Sequence, residues 1–275
     1  MNGKARLNAL LAVLLAPLWV ATAVSAAQVA PAALVEKGLL TYGVAATFAP
    51  FEFKDNNQLV GFDIDLIQAI AKKLGLESKA MNMEFKGLIP ALQGSRLDLI
   101  NSAMYINSER ASQVDFVPYL KIGNQVVVAK GNPAKITGRD DTLCGKTVAV
   151  TLGGIEETYA RQDNERCTKA GRAEVKVMTL PTAQDSVLTL RQGRADAIFD
   201  STPGTVKLLA ELSGVFETVG PEFESSTQIG MAVRKGDAAM KSALEAALKE
   251  IVADGTYGKL IAKWKFPASV GLLKN

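Results

Sequence analysis

The chain has 275 residues, of which 48% are hydrophobic and 21% charged, with a formal net charge of +3 and no histidine. Without histidine there is no Cys–His or Ser–His–Asp catalysis. A metal would have only carboxylates and thiols, and these lack zinc-like spacing, so no metal and no cofactor is expected. The near-balanced charge leaves no electrostatic footprint for nucleic acid or anionic membranes, and the length suits two lobes of roughly 100 residues each.

Lys4 and Arg6 precede a run from Leu7 to Val24 built almost wholly of Leu, Ala and Val, followed by small residues at Ser25-Ala26-Ala27. This is the pattern of a cleavable signal peptide over residues 1–27. The alternative is a retained anchor, because the apolar run approaches spanning length. Cleavage removes Lys4 and Arg6 and no acid, taking the formal charge from +3 to +1. An oxidising destination makes Cys144 and Cys167 a predicted disulfide.

Leu39 to Ala45 reads as a first strand, and Ala46 to Phe53, with three Phe around Pro50, as a strand-end loop. Such loops carry ligand contacts in open α/β sheets. In the run Gly61 to Gly75, Ile67, Ile70, Ala71 and Leu74 fall on one helical face. Asp63 and Asp65 sit where acids favour a helix start, and Gly75 where a helix stops. A strand is expected near Met81–Phe85, then a turn and helix start over Lys86–Leu92. Asp98 to Tyr105 reads as a strand entering a loop, and Asn107 or Ser108 caps the helix that carries Arg110 in its first turn. An Arg there opposes the helix dipole, which is tolerable when a carboxylate faces it.

Strands are expected at 124–130 and 146–151. Gly153-Gly154 then open a helix whose N-terminal amides form an anion site; it lacks the Lys-Ser/Thr of a phosphate loop. A strand at 175–178, a Thr182–Asp185 capping box, a helix from Ser186 to Gln192, a returning strand at 227–237 and a helix over 238–253 complete the alternation. Strand–helix alternation of this kind is α/β.

The run Gly61-Phe62-Asp63-Ile64-Asp65-Leu66 resembles the signature of the family 3 bacterial solute-binding proteins, the polar amino-acid receptors of ABC importers. Gly193–Pro203 and Asp254–Trp264 resemble further blocks of the same family in the right order. The resemblance implies a type II periplasmic-binding-protein fold, with two α/β lobes joined by two crossover strands near residues 122–128 and 224–230. Residues 28–125 and 226–275 would form lobe 1, and residues 126–225 lobe 2. It implies ligand contacts from Phe48 and Phe85 as an aromatic clamp. Ser102, Ala103 and Tyr105 would lie on the carboxylate loop, with Arg110 as the carboxylate anchor. Thr151, Gly154, Ile155 and Glu156 would contribute from the second lobe, and Asp200 and Ser201 from the last block.

Three departures bear on the ligand. Ala45 stands where members binding cationic or amide side chains place an Asp, which counts against Lys, Arg or His. Tyr105 replaces a small hydroxyl residue. The acid that pairs with a ligand ammonium is expected at Ser201; here it lies one residue earlier, at Asp200, and one residue reverses the face of a strand. Either Asp200 or Glu156 is left to supply that charge. The expected function is capture of a small amino acid or related carboxylate by a monomeric periplasmic binding protein, which hands it to ABC permease membrane subunits. The alternative is an enzyme of the same fold resembling cyclohexadienyl dehydratase.

Overall fold

The computed structural model describes residues 33–267 and 270–273. The expected signal segment, 1–27, lies outside the described residues. β1 (Leu39–Val44) leads into a small antiparallel sheet of β2 (Thr47–Phe48), β3 (Glu52–Asp55) and β4 (Gln58–Val60). There follow α1 (Phe62–Lys73), β5 (Glu77–Asn82), α2 (Leu88–Gln93), β6 (Leu99–Ile100), α3 (Ser108–Gln113) and β7 (Val114–Lys121). A second set comprises β8 (Asn124–Ala129), β9 (Thr147–Thr151), α4 (Ile155–Lys169), β10 (Lys176–Leu180), α5 (Ala183–Arg191), β11 (Ala197–Ser201), α6 (Thr202–Glu211) and β12 (Phe216–Phe223). The chain then returns through β13 (Gln228–Arg234), α7 (Ala238–Ala253) and α8 (Thr256–Lys263).

Two five-stranded sheets result, ordered β5-β1-β6-β13-β7 and β10-β9-β11-β8-β12. The parallel pairs β1–β5, β1–β6, β9–β10 and β9–β11 need helical crossovers, and the helices cover the sheets. β13 inserts between β6 and β7, antiparallel to both, which returns the chain to the first sheet. The fold is therefore the two-lobed α/β arrangement expected. The chain passes from one sheet to the other between Lys121 and Asn124 and back between Phe223 and Gln228.

α1 explains why the signature run matters. Leu66, Ile67 and Ile70 are fully buried, each contributing about 1.5–3 kcal/mol relative to exposure. The helix stops at Gly75, whose φ of +69° lets Leu76 N–H reach back to the Ala71 carbonyl oxygen at 2.9 Å. At the other end Gly61 has φ +139°, and a Cβ there would lie 2.0 Å from the Phe51 carbonyl oxygen. Only glycine lets the β2–β3 hairpin lie this close to the helix start.

Asp63 and Asp65 stand in the first turn of α1 as expected, and both carboxylates also act in tertiary contacts. Asp65 Oδ2 accepts from Trp264 Nε1 at 2.6 Å and from Lys263 Nζ at 2.7 Å, pinning α8 to α1. Asp63 turns inward, as described below. Two boundaries also move. The loop after β1 holds the β2–β3 hairpin, and β5 ends at Asn82, leaving Phe85 in a single 3-10 turn over Phe85–Gly87. Cys144 and Cys167 are joined, with Cα atoms 5.6 Å apart, tying the segment before β9 to α4.

Candidate ligand-binding site

The site lies between the sheets, where strand ends from both lobes face each other. From the first lobe, Phe48 ends β2 and stacks on Phe51 with ring centroids 5.3 Å apart. Asn107 caps α3, its Oδ1 accepting from Arg110 N–H at 2.8 Å. The cap fixes the first turn, and the Arg110 side chain turns into the cleft, only 7% exposed. Its guanidinium carbon lies 5.2 Å from the Phe85 ring centroid. Nη1 donates to the Tyr105 carbonyl oxygen at 2.7 Å, and Nη2 donates across the cleft to the Gly153 carbonyl oxygen at 2.9 Å. Burial lowers the Arg110 pKa, and Glu156 is the first opposing influence.

The loop that follows β6 is held from beneath. Ala103, at φ +39°, donates its N–H to Asp63 Oδ2 at 2.7 Å. The Ser102 hydroxyl donates to Glu52 Oε1 at 2.9 Å and accepts from Ala45 N–H at 3.0 Å, so it is engaged within the first lobe. The Tyr105 hydroxyl donates to Asn124 Oδ1 at 3.1 Å, at the point where the chain enters the second sheet.

From the second lobe, Thr151 ends β9, Gly153 takes φ +79°, and Gly154 is the N-cap of α4, with Ile155 and Glu156 in its first turn. Glu156 is 8% exposed. Burial raises its carboxyl pKa and Arg110 opposes the rise. Asp200 lies near the end of β11, its Oδ1 accepting from Ser201 N–H at 2.7 Å. Burial, then the nearby Glu156 charge, push Asp200 up to about 8. Ser201 is fully buried, and its Oγ caps α6 by accepting from Gly204 N–H at 3.0 Å.

The fold thus brings Phe48, Phe85, Ala103, Tyr105, Thr151, Gly154, Ile155 and Glu156 around one cleft of about 400 Å³, counting its open part. Arg110 lines the adjoining mouth with Phe85 and Gly154, and Asp200 lines a neighbouring cavity that also contains Phe48, Thr151 and Glu156. Ser102 and Ser201 are fully buried; their hydroxyls serve the frame of their own lobes. Arg110, Glu156 and Asp200 line adjoining cavities around this largely apolar cleft, and a guanidinium with carboxyl groups nearby has the charge types that complement a zwitterion. Among the described residues no cluster of acidic or sulfur ligands could hold a metal ion.

Sequence reasoning missed Glu52 and Asp63. Glu52 is 1% exposed and lines the same cleft. Its Oε2 and Asp63 Oδ1 are buried with no hydrogen-bond partner among the described residues, the two carboxyl groups lie close enough to act on each other, and Asp63 Oδ2 accepts from Tyr119 Oη–H at 2.6 Å. Two carboxylates so placed cannot both ionise readily. Burial pushes Asp63 up to about 7 and, with the Asp63 charge, raises Glu52 well above the carboxylate range. A single proton held between the two would remove the repulsion, supply the donor that both buried oxygens lack and clip the β3 strand to the start of α1. The one hint in the sequence was an acid held between Phe51 and Phe53.

Residues 40–268 match the bacterial extracellular solute-binding proteins, family 3. The chain belongs to this family. Among relatives of this family 3 protein, the ABC transporter arginine-binding protein 1 of Escherichia coli K12 is 35% identical over 233 residues, covering 83% of this chain and 90% of that protein. The L-cystine-binding protein TcyJ of the same organism is 33% identical over 231 residues, covering 83% of each chain. Among solved structures, an ancestral arginine-binding protein bound to arginine is similar with a TM-score of 0.76 and 39% identity, over 83% of this chain and 98% of that one. An ancestral amino-acid-binding protein, a precursor of cyclohexadienyl dehydratase, has a TM-score of 0.73 and 35% identity over 82% and 95% of the two chains.

Proposed function

We propose that this family 3 protein captures an α-amino acid between its lobes and delivers it to the membrane subunits of an ABC importer. The observation that carries the reading is the buried Arg110 guanidinium beside the buried Glu156 carboxyl group of the second lobe, with the partly buried Asp200 carboxyl group in the adjoining cavity. Arg110 takes the α-carboxylate through a bidentate pair, for which guanidinium geometry suits better than an ammonium. Ala103 and Gly154 bring backbone close to the carboxylate. Glu156 and Asp200 hold the ammonium, and Phe48 and Phe85 flank the side chain. The sequence departure at Ala45 weighed against a cationic side chain. The arginine-binding relatives weigh the other way, and both classes belong in the test.

Transport follows from differential affinity. The ligand meets Arg110 in one lobe and Glu156 with Asp200 in the other only when the lobes are together, so it shifts the population toward the closed form. The membrane subunits then read the closed form. The N-terminal segment read as a signal peptide supports a periplasmic location, and the protein acts as a monomer. A thermal-shift screen of the standard amino acids and small carboxylates tests the proposal. A ligand at a hundred times its dissociation constant adds about 2.7 kcal/mol of stability.

The similarity to a dehydratase precursor favours one second reading, in which a protonated Asp200 acts as a general acid. Turnover of prephenate or arogenate would establish it. Binding without turnover supports the receptor.

A further inference from the structure

The amino-acid seat does not end at Glu156. Thr47, Phe48, Thr151, Glu156 and Ala183 line both the seat and a second, larger cavity of about 1180 Å³ including its open part. This gallery runs between the β2–β3 hairpin of the first lobe and helices α5 and α6 of the second. Its walls are apolar: Phe53 on the hairpin, Val187 and Leu188 on α5, Leu208 and Leu212 on or just beyond α6. Leu188 is 47% exposed and adds accessible apolar surface to this wall.

The charges that α5 and α6 bring to the gallery are not balanced among Lys207, Glu211 and Arg191. Lys207 pairs with Glu211 one turn along α6, and its ammonium sits 5.1 Å from the Phe53 ring centroid. Arg191, in the last turn of α5, also lines the gallery and makes no ion pair among the described residues. The gallery lining thus combines the acids shared with or next to the seat, an apolar wall and the exposed Arg191 guanidinium, which has no ion-pair partner among the described residues.

We propose that this gallery is a second subsite for the same ligand, and that the ligand is an α-amino acid with a long side chain. That side chain is apolar along its length and ends in a carboxylate or a zwitterionic group that meets Arg191. The inference rests on the seating of the amino-acid head under "Proposed function". Continuity of the two cavities supplies the path, and the wall chemistry and Arg191 define the occupant. A short amino acid leaves the gallery to water; a long one covers Phe53 and Leu188.

The test is calorimetric titration of the full protein with alanine, glutamate, aminooctanoate and aminosuberate. Aminosuberate binds roughly tenfold or more tightly than alanine, since each buried methylene favours binding. Leu208→Trp, which fills the gallery, abolishes that gain and leaves alanine unchanged. Should that variant fold poorly, Leu188→Glu changes an exposed wall position and cuts aminosuberate affinity selectively. Arg191→Gln removes the preference for aminosuberate over aminooctanoate. Aminosuberate binding no tighter than alanine, or unaffected by either wall variant, overturns the subsite while leaving the amino-acid seat intact. Failure of every α-amino acid to bind overturns both readings together.

Discussion

Arg110 Nη2 donates to the Gly153 carbonyl oxygen at 2.9 Å, and the two residues belong to different lobes. The proposed carboxylate anchor is therefore also a strut across the cleft. Arg110→Ala is expected to weaken amino-acid binding by roughly 2–5 kcal/mol, because a buried carboxylate loses its partner. Arg110→Lys should recover only part, since a point charge cannot reproduce the fork. Calorimetry on both variants, with circular dichroism as the control for folding, checks this.

Gly153 itself is a second place to perturb closure. It adopts φ +79°, and an added Cβ would lie 3.1 Å from Lys86 Cβ in the opposite lobe. Gly153→Ala should strain the turn and hold the lobes slightly apart. The expected outcome is a larger radius of gyration with ligand by small-angle scattering and weaker binding, with a smaller loss in Tm.

Binding should be linked to protons. In the free protein Asp200 is pushed up to about 8 and Glu156 is raised, both by burial first. The facing groups are Glu156, Asp200, Arg110, Tyr105 and Tyr159. An ammonium ligand requires a carboxylate, so binding releases a proton wherever Asp200 is protonated. Affinity should rise with pH up to about 8 and level off beyond. Asp200→Asn should bind at least about tenfold more weakly, the loss of a charge-assisted bond, and lose most of this pH dependence. Glu156→Gln should be milder. The reverse ranking would move the ammonium to the α4 start. Titrations in buffers of different ionisation enthalpy count the protons.

The Glu52–Asp63 pair makes a stability prediction of opposite sign to the usual carboxylate. Its folded pKa values are raised, Asp63 to about 7, so the folded protein binds more protons than the unfolded one above the unfolded value near 4. Stability from this pair is present at low pH and declines as pH rises from about 4 through 7. Glu52→Gln mimics the protonated acid, keeping a donor toward Asp63 and an acceptor for Ser102. It should flatten the pH dependence and be no less stable than wild type at pH about 8. Asp63→Asn should cost about 1–3 kcal/mol by disturbing the acceptor shared by Ala103 and Tyr119. Denaturant melts across pH resolve the two.

The disulfide closes a loop whose ends are 23 residues apart. Replacing both Cys144 and Cys167 by Ser should lower stability by about 3 kcal/mol while leaving ligand affinity nearly unchanged, since the bridge ties the back of α4 rather than the cleft.

The comparison with sequence reasoning divides by physical cause. α1 was legible because a buried helical face has a 3.6-residue period and Gly75 marks its end, both local signals. The α7 span was legible for the same reason. The place of Phe85 was harder: β5 ends at Asn82, and the 3-10 turn beyond it has no periodicity to read. Ser102 and Ser201 fall in the right blocks, yet their hydroxyls are taken by Glu52 and by Gly204 N–H. Such choices depend on partners distant in sequence. The Glu52–Asp63 pair was illegible for that reason: neither residue alone shows that the other will be buried against it.

The most direct test of the account is calorimetry of the protein with its best amino-acid ligand and two analogues, one lacking the α-ammonium and one lacking the α-carboxylate. The account predicts that each deletion costs roughly a hundredfold or more in affinity, because each leaves a buried charge of Arg110 or of the Glu156–Asp200 pair unmatched. Equal affinity for the ligand and its deaminated analogue would contradict it, and would make the cleft a site for plain carboxylates.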